Sequence, residues 1–373
     1  MHMNILLITN EFSTRNGWAT VALELITRLR ERHGVTVLSE RGDADNPGFD
    51  LIASNGFKTL RVLRRDTAEI TQRLEGQRFD VIVCAIEPHL PLAARLKRRL
   101  SVPRLVLIGQ GTYIHYPFVR GRWRWFNRWA ARSVDMLVVP SSFTAAKARA
   151  WYQGPLEIVP WGVNTDTYHP VPGIEKEQAF LFVGAQKPRK GVGDLLEGFA
   201  RLVTEYPEAR LYLVGQPSER YARRLSELKI ESQVIQTGVV SHDELLGYYA
   251  RCLCHVLPSV NTPDAFEGYG LVHLEANACG IPSIGSQDTA NEEIIIDGAS
   301  GLLCKPHDPE SVYRCMRRIL NDDGATRRMF DESLRHAHSY TWARVIEAFE
   351  SNILRVGEIA DAAGAGQASP ARN

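Results

Sequence analysis

The sequence has no apolar run approaching the ~20 residues a membrane-spanning helix needs, which excludes a helix-spanning membrane protein as a reading of these 373 residues. Cysteine is sparse: six residues, scattered, with no CxxC pair. Cys252 and Cys254 stand too close in sequence for an ordinary disulfide along a strand. A disulfide scaffold is therefore not expected, and with no His/Cys cluster at ligand spacing neither is a zinc site. Free thiols in a reducing compartment are the expectation. The first apolar stretch, Met3 to Thr9, stops at Asn10-Glu11 and lacks a basic leader and a small-residue cleavage site. It reads as a first strand and not as a signal peptide, so the cytoplasm is the expected location. Acidic residues are missing altogether between Pro88 and Val134, where ten basic ones stand.

What is present suits two α/β domains. The length exceeds one typical core, and 44% hydrophobic with 23% charged residues is an ordinary soluble composition. The net charge of +1 hides an asymmetry. Residues 1–170 carry 23 Lys+Arg against 15 Asp+Glu, and the remainder 21 against 28. The first half is the one expected to meet an anionic partner.

Short apolar runs alternate with helical periods. Asn4–Thr9, Val35–Leu38, Val81–Ala85, Leu105–Ile108 and Met136–Val139 read as buried strands, with Ala22, Leu25, Ile26 and Leu29 at helical spacing after the first. The stretch Val159 to Glu177 holds Pro160, Gly162, Pro170, Pro172 and Gly173 and reads as a linker. The rhythm then restarts with Ala179–Val183, Arg210–Gly215, Val234–Gln236, Cys254–Leu257 and Ile281–Gly285. Repeated β-then-α units imply parallel sheets covered on both faces. The expected fold is α/β: two Rossmann-like doubly wound domains facing across a cleft, at 1–165 and 166–340. A helix at 341–357 is expected to pack back on the first domain, and 358–373, rich in Ala, Gly and Ser, to be a disordered tail.

The strongest local signal is Glu267-Gly268-Tyr269-Gly270-Leu271-Val272-His273-Leu274-Glu275, which follows a strand and opens a helix. Gly268 and Gly270 allow close backbone approach, and free N–H groups at a helix start suit a diphosphate. If Glu267 and Glu275 were both helical they would lie about 12 Å apart along the axis. That is too long for a glycosidase pair, which is spaced ~5–9.5 Å, and fits the two ends of an elongated ligand.

This run resembles retaining glycosyltransferase family 4, the glycosyl transferases group 1 of the two-Rossmann (GT-B) class. The resemblance continues through Ala276-Asn277-Ala278-Cys279-Gly280-Ile281-Pro282 and Asp297-Gly298-Ala299-Ser300-Gly301. Phe182-Val183-Gly184 with Pro188-Arg189-Lys190-Gly191 is similar to the family's phosphate-binding loop, and Val159-Pro160-Trp161-Gly162-Val163-Asn164 to its interdomain signature. The resemblance implies that Lys190 neutralises the leaving diphosphate, Glu275 holds the ribose, and Glu267 lies at the donor sugar. It implies that the backbone of Gly268, Tyr269, Gly270 and Leu271 holds phosphate and sugar oxygens. Gly17 would approach the diphosphate from the other domain, and the strand end at Val239 would meet the base. Three positions depart from the family pattern: Ala185 for an arginine, which Arg189 would replace, Trp18 for a glycine, and Gln110 for a histidine, with His115 five residues on. His115 and Gln110 are candidates for the acceptor side.

The expected activity is metal-independent hexosyl transfer with retention, from a UDP- or GDP-sugar co-substrate to a glycan, lipid-linked or small-molecule hydroxyl, with no other cofactor. The alternatives are a binding protein of the same fold and a sugar-nucleotide epimerase. Asp43-Ala44-Asp45, a metal motif in a different fold, sits among Gly42, Asn46 and Pro47 and reads as a solvated turn. Residues 120–132 place Arg124, Arg128 and Arg132 in one helical stripe beside Trp and Phe. Two readings follow: docking on an anionic membrane, at its inner face, or an inter-strand helix whose tryptophans pack on the sheet. No nucleic-acid partner is expected.

Overall fold

The structure, a computed structural model, describes residues 2–14, 16–39, 51–53, 60–321 and 323–351. Asp43-Ala44-Asp45 and the tail from 358 lie outside the described residues. The chain divides into two compact units, Met1–Pro160 with Ala343–Asn373, and Trp161–Trp342.

The first unit holds seven strands: β1 (Asn4–Thr9), β2 (Gly34–Ser39), β3 (Leu51–Ala53), β4 (Val81–Cys84), β5 (Arg104–Ile108), β6 (Met136–Val139) and β7 (Leu156–Ile158). They form one parallel sheet in the order β3-β2-β1-β4-β5-β6-β7. Its helices are α1 (Gly17–Leu29), α2 (Leu60–Arg73), α3 (Leu90–Arg99), α4 (Tyr116–Val119), α5 (Arg124–Ala131) and α6 (Ser142–Arg149). All residues of β4 and β6 are buried, as a parallel strand covered on both faces requires. Residues 343–351 of the last described helix belong to this unit. Its Glu350 carboxylate accepts from Arg32 Nη1 at 3.0 Å and faces His33 Nε2 at 3.1 Å, while Val345, Ile346 and Phe349 are buried.

The second unit repeats the plan with β8 (Ala179–Val183), β9 (Arg210–Val214), β10 (Val234–Gly238), β11 (Cys254–Val256), β12 (Ser283–Ser286) and β13 (Gly301–Cys304). The order is β10-β9-β8-β11-β12-β13, again parallel. Its helices are α7 (Val192–Glu205), α8 (Glu219–Leu228), α9 (His242–Arg251), α10 (Leu271–Ala278), α11 (Pro309–Asn321) and α12 (Asp323–Ser339). The two-residue period of β8 splits its side chains between two cores. Phe180 and Phe182 join Val192, Leu195 and Phe199 of α7, while Ala179 and Leu181 join Tyr249 and Ala276 on the opposite face.

Three strands escaped the periodicity. β3 is three residues long, β7 is an edge strand with a glutamate in its middle, and β13 lies in the Gly301–Cys304 run, which begins on a glycine. Each is too short or too mixed for an alternation signal, and each lies at a sheet edge where one parallel neighbour, β2, β6 or β12, supplies its hydrogen bonds.

In each sheet the order reverses beside the first strand of the unit: between β1 and β4, and between β8 and β11. Ligands in open α/β sheets sit beyond the carboxyl ends of the strands at this switch point. In the second unit that position is flanked by the segments 184–191 and 257–270, which contain Arg189, Lys190, Glu267, Gly268, Tyr269 and Gly270 and lead into α10 with Leu271 and Glu275.

Candidate active site

Segment 184–191 leaves β8 through Gly184, makes a single 3-10 turn over Pro188–Lys190, and enters α7 through Gly191. Gly191 has φ +66°, and a Cβ there would stand 1.7 Å from the Pro258 carbonyl oxygen. Only glycine fits, so the backbone of this loop lies directly on the end of β11. Val260 N–H donates to the Arg189 carbonyl at 2.8 Å and fastens the two loops. This closeness brings Lys190 to Glu267, far apart in the chain.

Lys190 Nζ is 2.6 Å from Glu267 Oε2, and Arg189 Nη1 pairs with the same oxygen. The Lys190 side chain is 13% exposed and that of Glu267 10%. The loop is thus not solvated, as a basic turn would have it: the cations are drawn inward by a buried carboxylate. Burial pushes the Glu267 carboxyl up, but the charges and hydrogen bonds of Lys190 and Arg189 outweigh it and hold it at about 2. Burial in turn lowers the Lys190 ammonium against the opposing pull of Glu267.

The Glu-x7-Glu run is not one helix. α10 begins at Leu271, with Gly270 as its N-cap at φ +96°, so the 12 Å helical spacing does not apply to Glu267. Gly270 is forced: a Cβ would meet His273 Cδ2 at 2.9 Å and Asn291 Nδ2 at 3.0 Å. The left-handed cap turns the chain so that Glu267 lies in the loop and Glu275 inside the helix. Among the described residues no side chain caps α10 and its first turn carries no acidic residue; the His273 N–H returns to the Gly270 carbonyl at 2.9 Å, which leaves the N–H groups of Leu271 and Val272 and the helix dipole for an anion. Glu275 is buried, with Tyr249 Oη at 3.5 Å and Tyr168 as a second donor. Burial raises its carboxyl to about 7, against the lowering effect of the two tyrosines. The two glutamates are therefore driven apart, one ionised throughout the neutral range and one poised within it.

The remaining candidates are placed as follows. Gly268 and Leu271 are buried in the loop and first turn. Tyr269 turns its side chain away, its hydroxyl donating to the Trp161 carbonyl at 3.1 Å, so that only its backbone remains for a ligand. Val239 follows the end of β10 and is 83% exposed. Gly17 and His115 belong to the first unit. Gly17 is the exposed first residue of α1, with Asn16 capping the helix through Ala19 N–H at 3.0 Å. His115 Nδ1 lies 3.1 Å from the Lys147 carbonyl, a contact that fixes the loop. Gln110 donates its side-chain amide to the Ala85 carbonyl at 2.8 Å.

Several groups around these residues had no role assigned from the sequence. Tyr168 and Tyr249 surround Glu275. His273 is buried beside Lys190 and Glu267, and burial lowers its imidazole to about 3. In the first unit Glu87, just after β4 at the switch point, is buried and accepts from Gln110 N–H at 2.9 Å. Burial raises its carboxyl to about 7 against hydrogen bonds from the backbone. The one available signal was position, an acidic residue directly beyond a buried strand.

Residues 15–167 match the family described as Glycosyltransferase Family 4, and residues 164–336 that described as Glycosyl transferases group 1. The chain belongs to glycosyltransferase family 4. Among relatives of this glycosyltransferase is the GDP-mannose-dependent alpha-(1-6)-phosphatidylinositol monomannoside mannosyltransferase of Mycolicibacterium smegmatis. It is 24% identical over 343 residues, 85% of this chain and 89% of the relative. The MMP alpha-(1→4)-mannosyltransferase of Mycolicibacterium hassiacum is 28% identical over 279 residues, 71% of this chain and 66% of the relative. Among solved structures, Anabaena HepE in complex with UDP and glucose superposes with a TM-score of 0.80 at 15% identity, covering 94% of this chain and 99% of that one. That likeness shows the GT-B fold of the glycosyltransferase.

Proposed function

We propose that the chain is a retaining, metal-independent hexosyltransferase that uses a GDP- or UDP-activated sugar. The observation that carries this reading is the buried Lys190–Glu267–Arg189 cluster beside the open first turn of α10. A nucleotide diphosphate needs positive charge and N–H donors at one point, and a sugar needs an acceptor for its hydroxyls nearby. Glu267, ionised at about 2, supplies the acceptor and cannot serve as a general acid at neutral pH. The relative named for GDP-mannose and the neighbour holding UDP and glucose support a nucleotide-sugar donor.

In the reaction the bond between the anomeric carbon and the diphosphate oxygen breaks, and the acceptor oxygen bonds to the same face of that carbon. The acceptor proton passes to the departing diphosphate. Lys190, Arg189 and the start of α10 stabilise the charge that develops there. Glu275, beside Tyr168 and Tyr249, receives the ribose hydroxyls as its carboxylate. The hydroxyl acceptor is a glycan or a lipid-linked sugar, a class suggested by the phosphatidylinositol monomannoside in the name of one relative.

The test is a thermal-shift screen of GDP-, UDP- and ADP-sugars followed by a transfer assay with the anomeric configuration of the product read by NMR. A donor at a hundred times its dissociation constant should stabilise the fold by about 2.7 kcal/mol. The reading is lost if folded protein neither binds nor turns over any nucleotide sugar. An inverted product would remove the retaining assignment.

A further inference from the structure

Helices α3 and α5 of the first unit pack against each other, and α2 packs against α3. Their outer surface concentrates charge of one sign. Arg95, Arg98 and Arg99 of α3 line one pocket, and Arg64 of α2 lies close enough to Arg95 to repel it. The Arg95 Nε is enclosed without a hydrogen-bond partner among the described residues. Lys97 pairs with Asp135 at 2.5 Å. Among the described residues, none of Arg95, Arg98, Arg99, Arg122 and Arg124 is within ion-pair reach of a carboxylate. Like charges held together this way call for an external anion.

The aromatic residues of α5 and the turn before it are not in the core. Trp125 is 69% exposed, Trp123 49% and Trp129 38%. The alternative in which these tryptophans pack on the sheet does not hold; Ala130 and Ala131 face inward instead. Guanidinium groups lie over the indoles: Arg124 over Trp125 at 5.3 Å, Arg122 over Trp123 at 5.7 Å, and Arg98 over Trp129 at 5.4 Å. The last contact joins the arginine pocket of α3 to the aromatic surface of α5.

We propose that the surface formed by Arg95, Arg98 and Arg99 of α3 and by Trp123, Arg124 and Trp125 docks on an anionic phospholipid bilayer. Exposed indoles settle at the level of the headgroups, where an apolar ring with one polar N–H is at home. Arginines beside them reach phosphates, and the pocket takes one phosphate by its convergent guanidinium groups. No helix among the described residues is long and apolar enough to cross a membrane, so the attachment is peripheral. A single-stranded nucleic acid is the lesser fit. Stacked bases need open ring faces, and here guanidinium groups cover the indoles.

The test is co-sedimentation of the full chain, without nucleotide, with vesicles of phosphatidylcholine and of phosphatidylcholine mixed with phosphatidylglycerol. Binding should require phosphatidylglycerol, weaken as salt shortens the screening length, and shift the tryptophan emission to the blue. Removing one arginine should weaken binding about fivefold, and the Arg98→Ala/Arg99→Ala pair about 25-fold. Trp125→Ala should weaken it about tenfold by loss of buried apolar area. These side chains are exposed, so an unchanged melting temperature is expected and separates the effect from misfolding. Wild-type protein remaining in the supernatant with anionic vesicles at low salt overturns the proposal. So does equal sedimentation with neutral vesicles, or binding of a single-stranded RNA in place of vesicles. The assay reads no sugar transfer, so an error in the donor assignment leaves its outcome unaffected.

Discussion

Replacing Lys190 by methionine keeps the length of the side chain and removes its charge. The consequence can be worked from the Glu267 carboxyl, which stands at about 2 against an ordinary 4.5. That gap corresponds to roughly 3 kcal/mol of preference for the ionised, folded form. It is what remains after burial has been overcome, and Lys190 contributes more of it than Arg189. Arg189 stays in the variant, and the lysine's own burial penalty disappears with it. We therefore expect Lys190→Met to lose about 2 kcal/mol of stability at neutral pH. A depressed carboxyl gives stability that is present above 4.5 and lost as pH falls through about 2. The deficit should accordingly shrink as pH is lowered from 4.5 toward 2. Turnover should fall on the order of a hundredfold or more, because a preorganised charge on the departing diphosphate is lost. Denaturant unfolding and release of nucleoside diphosphate measure the two effects separately. The double variant Lys190→Met/Glu267→Gln no longer buries a half-paired carboxylate and should regain most of the stability, with no return of turnover. Turnover of Lys190→Met within about threefold of wild type would refute the diphosphate role. Recovery of turnover in the double variant would show that the lysine serves only to neutralise Glu267.

Glu275 holds its proton until about pH 7 in the absence of ligand, so donor affinity should rise as pH increases through that value, with proton release seen by calorimetry in two buffers. A flat affinity between about pH 6 and 8 would dissociate Glu275 from the ribose. Its raised carboxyl favours the unfolded chain increasingly from 4.5 to about 7. Glu275→Gln should therefore be more stable than wild type above neutrality by on the order of 1–3 kcal/mol while binding donor about tenfold more weakly. Gly191→Ala should abolish transfer and lower the melting temperature, since its Cβ would stand 1.7 Å from the Pro258 oxygen. Gly193→Ala, with nothing within 4 Å of the new atom, should gain roughly 0.5–1 kcal/mol by circular-dichroism melting; equal behaviour of the two would show that the loop does not rest on β11. A chelator should leave turnover unchanged in the same release assay, and loss that magnesium or manganese restores would replace Lys190 and Arg189 by a metal as the main counter-charge.

The amino-acid order by itself determined the repeat of strand and helix and the glycines of the site. These are local properties: a buried parallel strand is a run of apolar residues, and Gly191 and Gly270 are needed by backbone conformations that a side chain would obstruct. The family motifs were legible for the same reason, as contiguous residues serving one loop or one helix start. What the sequence could not determine depended on residues meeting across the sheet. Arg189 donates to a carboxylate oxygen of Glu267, 78 positions away, because β8 and β11 are neighbours, and such placement decides which glutamate is ionised throughout and which is poised at about 7. Whether Lys190 faced solvent could not be read from a basic turn, because the answer lay in a carboxylate from another loop. The tryptophans of 123–129 carried the same ambiguity. Their helical spacing was compatible with core or surface, and only the packing of α5 through Ala130 and Ala131 left the indoles outside. Period and motif specify local backbone and hydrophobic faces, whereas burial and electrostatic environment belong to the assembled fold.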